Sequence, residues 1–90
     1  MDLKEVRTVN KNYTILLNSI DKVKDFANLI NRFECDADLS SGRYIIDAKS
    51  IMGIFSLDLQ NPLSLTVYEN KDIETLEESL KPFLYKEEDE

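Results

Sequence analysis

Tyr13-Thr14-Ile15-Leu16-Leu17-Asn18-Ser19-Ile20, continuing through Val23, Phe26, Ala27 and Ile30 to Phe33, is the stretch that decides the fold. Its first five residues are β-branched, aliphatic or aromatic and end at Asn18-Ser19, a pair suited to starting a helix, so a short strand runs into a helix cap. From there Ile20, Val23, Phe26, Ala27, Ile30 and Phe33 recur at spacings of three and four. That spacing predicts one apolar stripe on a helix of roughly four turns, with its stripe against a core. Asp21 falls in the first turn and Arg32 in the last, each favoured there by the helix dipole.

The chain beyond this unit continues to alternate between strand and helix patterns. Asp36 to Leu39 and Tyr44 to Ala48 are short strand candidates, separated by the turn-forming Ser40-Ser41-Gly42-Arg43. Ser50 precedes Ile51-Met52-Gly53-Ile54-Phe55, a stretch long enough for a short capped helix only. Asn61-Pro62 breaks the chain before Leu63-Ser64-Leu65-Thr66-Val67-Tyr68-Glu69, whose strict alternation predicts a strand with one buried and one wet face. Asp72 then caps a last helix in which Ile73, Leu76, Leu80 and Phe83 share a face, Glu77 and Lys81 form an i,i+4 pair, and Pro82 limits the length. The order is β-α-β-β-α-β-α. Helices with single apolar stripes among short strands imply an α+β two-layer sandwich, with the helices on one face of an antiparallel sheet. Residues 1–12 are either an extension of the first strand, through Val6 and Val9, or a separate arm, and residues 85–90 form an acidic tail after a single domain over 1–84.

Composition narrows the function. Ninety residues provide one core, and 42% hydrophobic with 32% charged side chains is the make-up of an ordinary globular domain. A formal net charge of −7 argues against nucleic acid, whose phosphates call for a basic face. No apolar run approaches the roughly 20 residues of a spanning helix. The charged start Met1-Asp2-Leu3-Lys4-Glu5 lacks the apolar segment of a secretory signal, so the expected compartment is the cytoplasm with no membrane insertion. Cys35 is the single cysteine, in keeping with that compartment, and reads as a small apolar residue. No ligand set at metal-binding spacing occurs, the pair Asp36 and Asp38 being a weak signal, and no cofactor motif is present. Histidine is absent altogether, which removes the side chain that usually serves as acid-base catalyst, metal ligand or phosphoryl acceptor near neutral pH.

The segment Lys49-Ser50-Ile51-Met52-Gly53-Ile54-Phe55-Ser56-Leu57 resembles the signature around the regulatory serine of HPr, the histidine-containing phosphocarrier of the bacterial sugar phosphotransferase system. The hairpin with Gly42 and Ile45-Ile46-Asp47-Ala48, and the helix stripe from Ile20 to Phe33, align with the same family without a gap, over roughly Asn18 to Val67. The resemblance implies an open-faced sandwich of four antiparallel strands under three helices, in the order already read from periodicity.

Its departures shape the expected function. HPr carries its phosphoryl group on a histidine that caps the first helix, with an arginine two residues on; here Ser19 and Asp21 stand at those positions. A phosphoserine ester is far more inert than a phosphoimidazole, and Asp21 adds like-charge repulsion. The resemblance therefore implies a non-enzymatic, non-carrier paralogue. Ser50 matches the serine that a dedicated kinase phosphorylates in HPr of many Gram-positive bacteria and in histidine-lacking paralogues, although a serine at such a place also serves simply as a helix cap. Lys49, Ile51, Met52 and Phe55 around it are the expected docking patch, with core packing the plainer reading of the apolar three. By the same resemblance, the partners are HPr kinase/phosphorylase and a LacI-type catabolite-control regulator. The competing expectation is that the fold serves only as a scaffold for an unrelated small molecule or protein.

Overall fold

The structure is a computed structural model in which residues 10–68 and 72–86 are described. The expected arm or strand extension at Val6 and Val9, the end of the acidic tail, and Glu69 lie outside the described residues.

In chain order the elements are β1 (Lys11–Ile15), α1 (Ile20–Ile30), β2 (Ala37–Ser41), β3 (Tyr44–Asp47), α2 (Ile51–Phe55), β4 (Leu63–Val67) and α3 (Ile73–Leu80), with a 3-10 turn at Lys81–Phe83. The strands form one four-stranded sheet in the spatial order β1-β4-β2-β3, with every pairing antiparallel. The β-α-β-β-α-β-α order is the one that periodicity gives.

Alternation in the strands assigns the faces. Leu63, Leu65 and Val67 of β4, Ala37 and Leu39 of β2, and Ile15 of β1 are buried and share the core with Val23, Phe26, Ala27 and Ile30 of α1 and Leu76 and Leu80 of α3. Each fully buried large side chain contributes about 1.5–3 kcal/mol over its exposed state, so this face holds the layers together. The Phe26 ring meets Phe83 edge-on at 5.8 Å, which ties the middle of α1 to the 3-10 turn. The opposite face is polar apart from Ile45. The register sets Asn12 against Thr66 and Thr14 against Ser64, and Thr66 Oγ1 donates to Asn12 Oδ1 at 2.9 Å.

Several local expectations are corrected. Helix α1 has 11 residues, about three turns. It closes at Asn31, so Arg32 and Phe33 lie beyond it, and the last turn carries no basic side chain. Ile20 opens the helix and is 63% exposed, while Leu29, outside the expected stripe, is buried. The first strand is shifted two residues toward the N-terminus, because Leu16 and Leu17 leave the β1 ladder. The β2–β3 hairpin is tighter than the four-residue turn expected: Ser41 pairs with Tyr44, leaving Gly42-Arg43 as the loop. Gly42 has φ +61° at the first loop position, the conformation a two-residue II′ turn demands and one that glycine adopts without strain. Asp72 stands at the start of α3 without a side-chain capping hydrogen bond. Lys81 pairs with Glu78 at 3.3 Å instead of Glu77. Glu77 turns to the sheet, where it accepts a hydrogen bond from the Tyr13 hydroxyl at 2.8 Å and lies 3.7 Å from the Lys11 ammonium.

One pairing has no sequence signal. After the 3-10 turn the chain runs along the outer edge of β1, with Leu16 N–H donating to the Phe83 carbonyl at 2.9 Å and Tyr85 N–H to the Thr14 carbonyl at 2.8 Å. An isolated bridge joins Ile15 to Leu84 between them.

Candidate functional site

Four residues, Leu16 to Ser19, link β1 to α1, and the link ends on a cap. Ser19 is extended (φ −147°, ψ 157°), and its Oγ accepts a hydrogen bond from Lys22 N–H at 3.2 Å. Asp21 is exposed in the first turn beside it. The exposed Ile20 completes this end of the helix and faces the far end of α2: Leu17, Asn18, Ser19, Ile20, Phe55, Leu59 and Gln60 line a shallow cleft of about 270 Å³. Ser19 and Phe55, singled out separately in the sequence, thus share one cleft. Ile20, Leu59 and Gln60 were missed as site residues. The missed signal was position: Ile20 is the first helical residue, where an apolar side chain need not reach the core.

At the other end of α2, Ser50 is held from several directions. Its backbone N–H donates to the Asp47 carbonyl at 2.9 Å, and its Oγ accepts from Gly53 N–H at 3.1 Å, closing the cap of α2. The preceding residue is fixed on three sides. Lys49 N–H donates to Asp47 Oδ1 at 2.9 Å, the Lys49 carbonyl accepts from Asn31 Nδ2 at 3.2 Å, and the Lys49 ammonium donates to the Phe33 carbonyl at 2.6 Å. Lys49 is therefore a strut between the end of α1 and the start of α2, which adds a structural duty to the docking role expected of it.

Gly53 brings α2 close to the sheet. A Cβ at this position would stand 3.2 Å from Ser50 Oγ and 3.3 Å from Ile46 Cβ, both tight, so the absent side chain makes room for the cap and for the approach to β3. Of the apolar residues of α2, Ile54 is the core member at 0% exposure. Ile51, Met52 and Phe55 are 37%, 76% and 42% exposed, so the plainer reading of them as core residues does not hold. Ile20 and Phe55 share the cleft, and Ile51 and Met52 are exposed on the same short helix that Ser50 caps.

Elsewhere the structure places the Asp36–Asp38 pair and Cys35. Asp36 and Asp38 line an open hollow on the polar sheet face with Asp47 and Tyr68, and the Tyr68 hydroxyl donates to Asp38 Oδ2 at 2.9 Å. That bond, first, and partial desolvation raise the Tyr68 pKa. Among the described residues no group of three or more acidic or thiol ligands is placed to hold a metal ion. Cys35 is buried, and burial is the main cause of its raised thiol pKa, with Lys49 opposing that shift and Asp36 adding to it. No helix among the described residues is long and apolar enough to cross a membrane.

No protein-family model and no curated protein matches the chain. Solved structures do. The phosphocarrier protein HPr from Bacillus anthracis str. Ames superposes with a TM-score of 0.64 at 27% identity, covering 87% of this chain and 98% of that one. HPr-C-His from Thermoanaerobacter tengcongensis superposes with a TM-score of 0.65 at 24% identity, covering 80% of this chain and 88% of that one. With its four antiparallel strands, three helices and matching order of elements, the chain has the HPr-like fold, and its sequence is similar to that of HPr at moderate identity.

Proposed function

We propose that this chain is a protein related to the phosphotransferase system that has given up phosphocarrier chemistry and acts as a regulatory adaptor, through protein contacts on the α2 surface around Ser50. One observation carries the reading: the HPr-like fold is retained with Ile51, Met52 and Phe55 exposed beside Ser50, in a chain of 90 residues that contains no histidine. A carrier needs a nucleophile whose phosphorylated form stays energy-rich, and the hydroxyl of Ser19 yields a stable ester instead. A signalling contact needs only an addressable group next to a desolvatable surface. Ser50 is half-buried with its hydroxyl oxygen facing a backbone N–H, so added phosphate oxygens would have donors near them. HPr kinase/phosphorylase is the partner that would modify Ser50, and a LacI-type regulator is the one that would read the modified surface.

Intact-mass spectrometry after incubation with the kinase and ATP tests the reading. A single phosphate on the wild type and none on Ser50→Ala is expected, with binding to the regulator only for the phosphorylated form. An unmodified wild type rejects the assignment of Ser50. Transfer of labelled phosphate from phosphoenolpyruvate through enzyme I should leave the chain unlabelled, and label on Ser19 overturns the non-carrier reading.

A further inference from the structure

The two edges of the sheet are unequal. Beyond β1, residues 83–85 add backbone hydrogen bonds along the outer edge. Strand β3 is the opposite edge, and among the described residues no strand pairs with its outer side. An open strand edge is a template for another strand unless something blocks it. Charge, proline and bulges are the usual blocks, and the middle of β3 has none of them: Tyr44 is 72% and Ile45 67% exposed.

The ladder tells which backbone groups face outward. Ser41 and Tyr44 close the two-residue hairpin, and Ala48 N–H donates to the Ala37 carbonyl at 2.9 Å, so positions 44, 46 and 48 are the ones bonded to β2. Ile45 and Asp47 therefore point their backbone groups away from the sheet, and the Asp47 carbonyl is already taken by Ser50 N–H. Among the described residues of the edge, Ile45 is left with both its N–H and its carbonyl available.

The side chains around it read as their own complement when reversed. Arg43-Tyr44-Ile45-Ile46-Asp47, laid antiparallel against a second copy and centred on Ile45, sets Ile45 on Ile45, Tyr44 over the half-buried Ile46, and Arg43 beside Asp47, the last two contacts occurring twice. Shifting the centre to Ile46 would put Ile45 opposite Asp47 and direct the Ile45 N–H at a carbonyl that is already bonded. Opposite charges facing across strands stabilise a pairing and like charges oppose it, so the Arg43 and Asp47 pairs select the first register.

We infer that β3 is a self-association edge, through which two copies of this chain join antiparallel about Ile45 into a continuous eight-stranded sheet. A strand of this length buries less than the roughly 1,200 Å² of a standard stable interface, so the dimer is a weak, concentration-dependent one. The inference is independent of the adaptor function and of any phosphorylation of Ser50.

Sedimentation equilibrium on the full chain over a concentration series, at roughly 0.15 M salt to screen the general acidic repulsion, is the test. Wild type should shift from monomer to dimer. Arg43→Glu, in an exposed turn, should raise the dissociation constant at least about tenfold, and Ile45→Lys should abolish association while leaving the melting curve unchanged. Arg43→Glu mixed with Asp47→Lys should form a heterodimer tighter than either variant's own homodimer, since both cross-strand pairs are then of opposite sign. Because Asp47 also accepts from Lys49 N–H, circular dichroism checks that the Asp47→Lys protein is folded, and Ile45→Lys decides the matter if it is not. A wild type that stays monomeric throughout, or a dimer that survives Ile45→Lys, overturns the inference.

Discussion

Ser50 has a structural duty that can be separated from any signalling duty by two substitutions. Its Oγ accepts one hydrogen bond, from Gly53 N–H at 3.1 Å, and that bond satisfies one of the donors that the short helix α2 leaves open. Ser50→Ala removes the acceptor, and loss of such a cap costs about 1 kcal/mol. In a domain of this size that loss lowers the melting temperature by about 4–8 °C. Ser50→Asp restores an acceptor with comparable capping strength and should stay within about 0.5 kcal/mol of the wild type. The two variants therefore diverge in stability in one direction and, if the α2 surface reads charge, in partner affinity as well. Thermal and urea melts of the three proteins, monitored by circular dichroism and run before any binding assay, measure the first difference. A Ser50→Ala protein that melts with the wild type, or a Ser50→Asp protein that drops as far as the alanine variant, refutes the capping argument and removes the basis for using the aspartate as a folded mimic.

Three further outcomes are expected. Tyr13 titrates well above its ordinary 10.0 because it is desolvated and because its hydroxyl donates to the charged Glu77. A raised native pKa favours the protonated form in the fold, so this contribution is full below about pH 10 and declines as the unfolded tyrosine ionises above it. Tyr13→Phe should lose about 1 kcal/mol at neutral pH and show a shallower fall in melting temperature between about pH 9.5 and 11. Cys35, buried and with its thiol pKa raised, should react slowly with a disulfide reagent at about pH 8 and rapidly in denaturant; equal rates would show that the thiol is open in the native state. Gly53→Ala places a Cβ 3.3 Å from Ile46 Cβ, an atom fixed to the β3 backbone, and overpacking of about 1–3 kcal/mol outweighs the gain of up to about 1 kcal/mol in helix propensity. Urea melts should show a net loss, and a stabilised variant would mean that α2 can move off the sheet freely.

Much of the architecture was legible because it rests on periodicity. The alternation Leu63-Ser64-Leu65-Thr66-Val67 is reproduced residue by residue in burial, and the α1 stripe is correct from Val23 to Ile30. The errors gather where an end or a distant partner decides. Ile20 fits the stripe by spacing, yet at the first turn the helix projects it past the core. Phe33 fits the stripe and Arg32 the last turn, but Asn31 ends α1 before both, its side-chain amide donating to the Ala27 carbonyl at 2.8 Å and to the Lys49 carbonyl, a residue 18 positions away. Glu77 was paired with Lys81 on local spacing, and a tyrosine 64 residues distant holds it instead. The site followed the same division. Ser19 and Ser50 were recognisable as caps from their neighbours, whereas the cleft that joins Ser19 to Phe55 needs the packing of α1 beside α2, which no local pattern encodes.

On the proposed reading, the start of α1 is a place where the fold outlasts the chemistry of a relative. The helix needs a non-helical residue there with a short oxygen acceptor, and Ser19 meets that need with its hydrogen bond from Lys22 N–H. Phosphoryl transfer would require two further things of the same place: a nucleophile that forms a labile bond, and positive charge close by to balance the phosphate. The side chains lining the cleft are Leu17, Asn18, Ser19, Ile20, Phe55, Leu59 and Gln60, which include no cation, and Asp21 next in the helix carries the opposing charge. Capping is a matter of one acceptor in the right place and tolerates exchange among small polar residues. Carrier chemistry depends on a particular heteroatom and on the sign of its neighbours. On the proposed reading the first demand continued to be met while the second lapsed, and the exposed Ile20 and Phe55 at the same cleft suit a surface that recognises a partner by contact instead of by transfer.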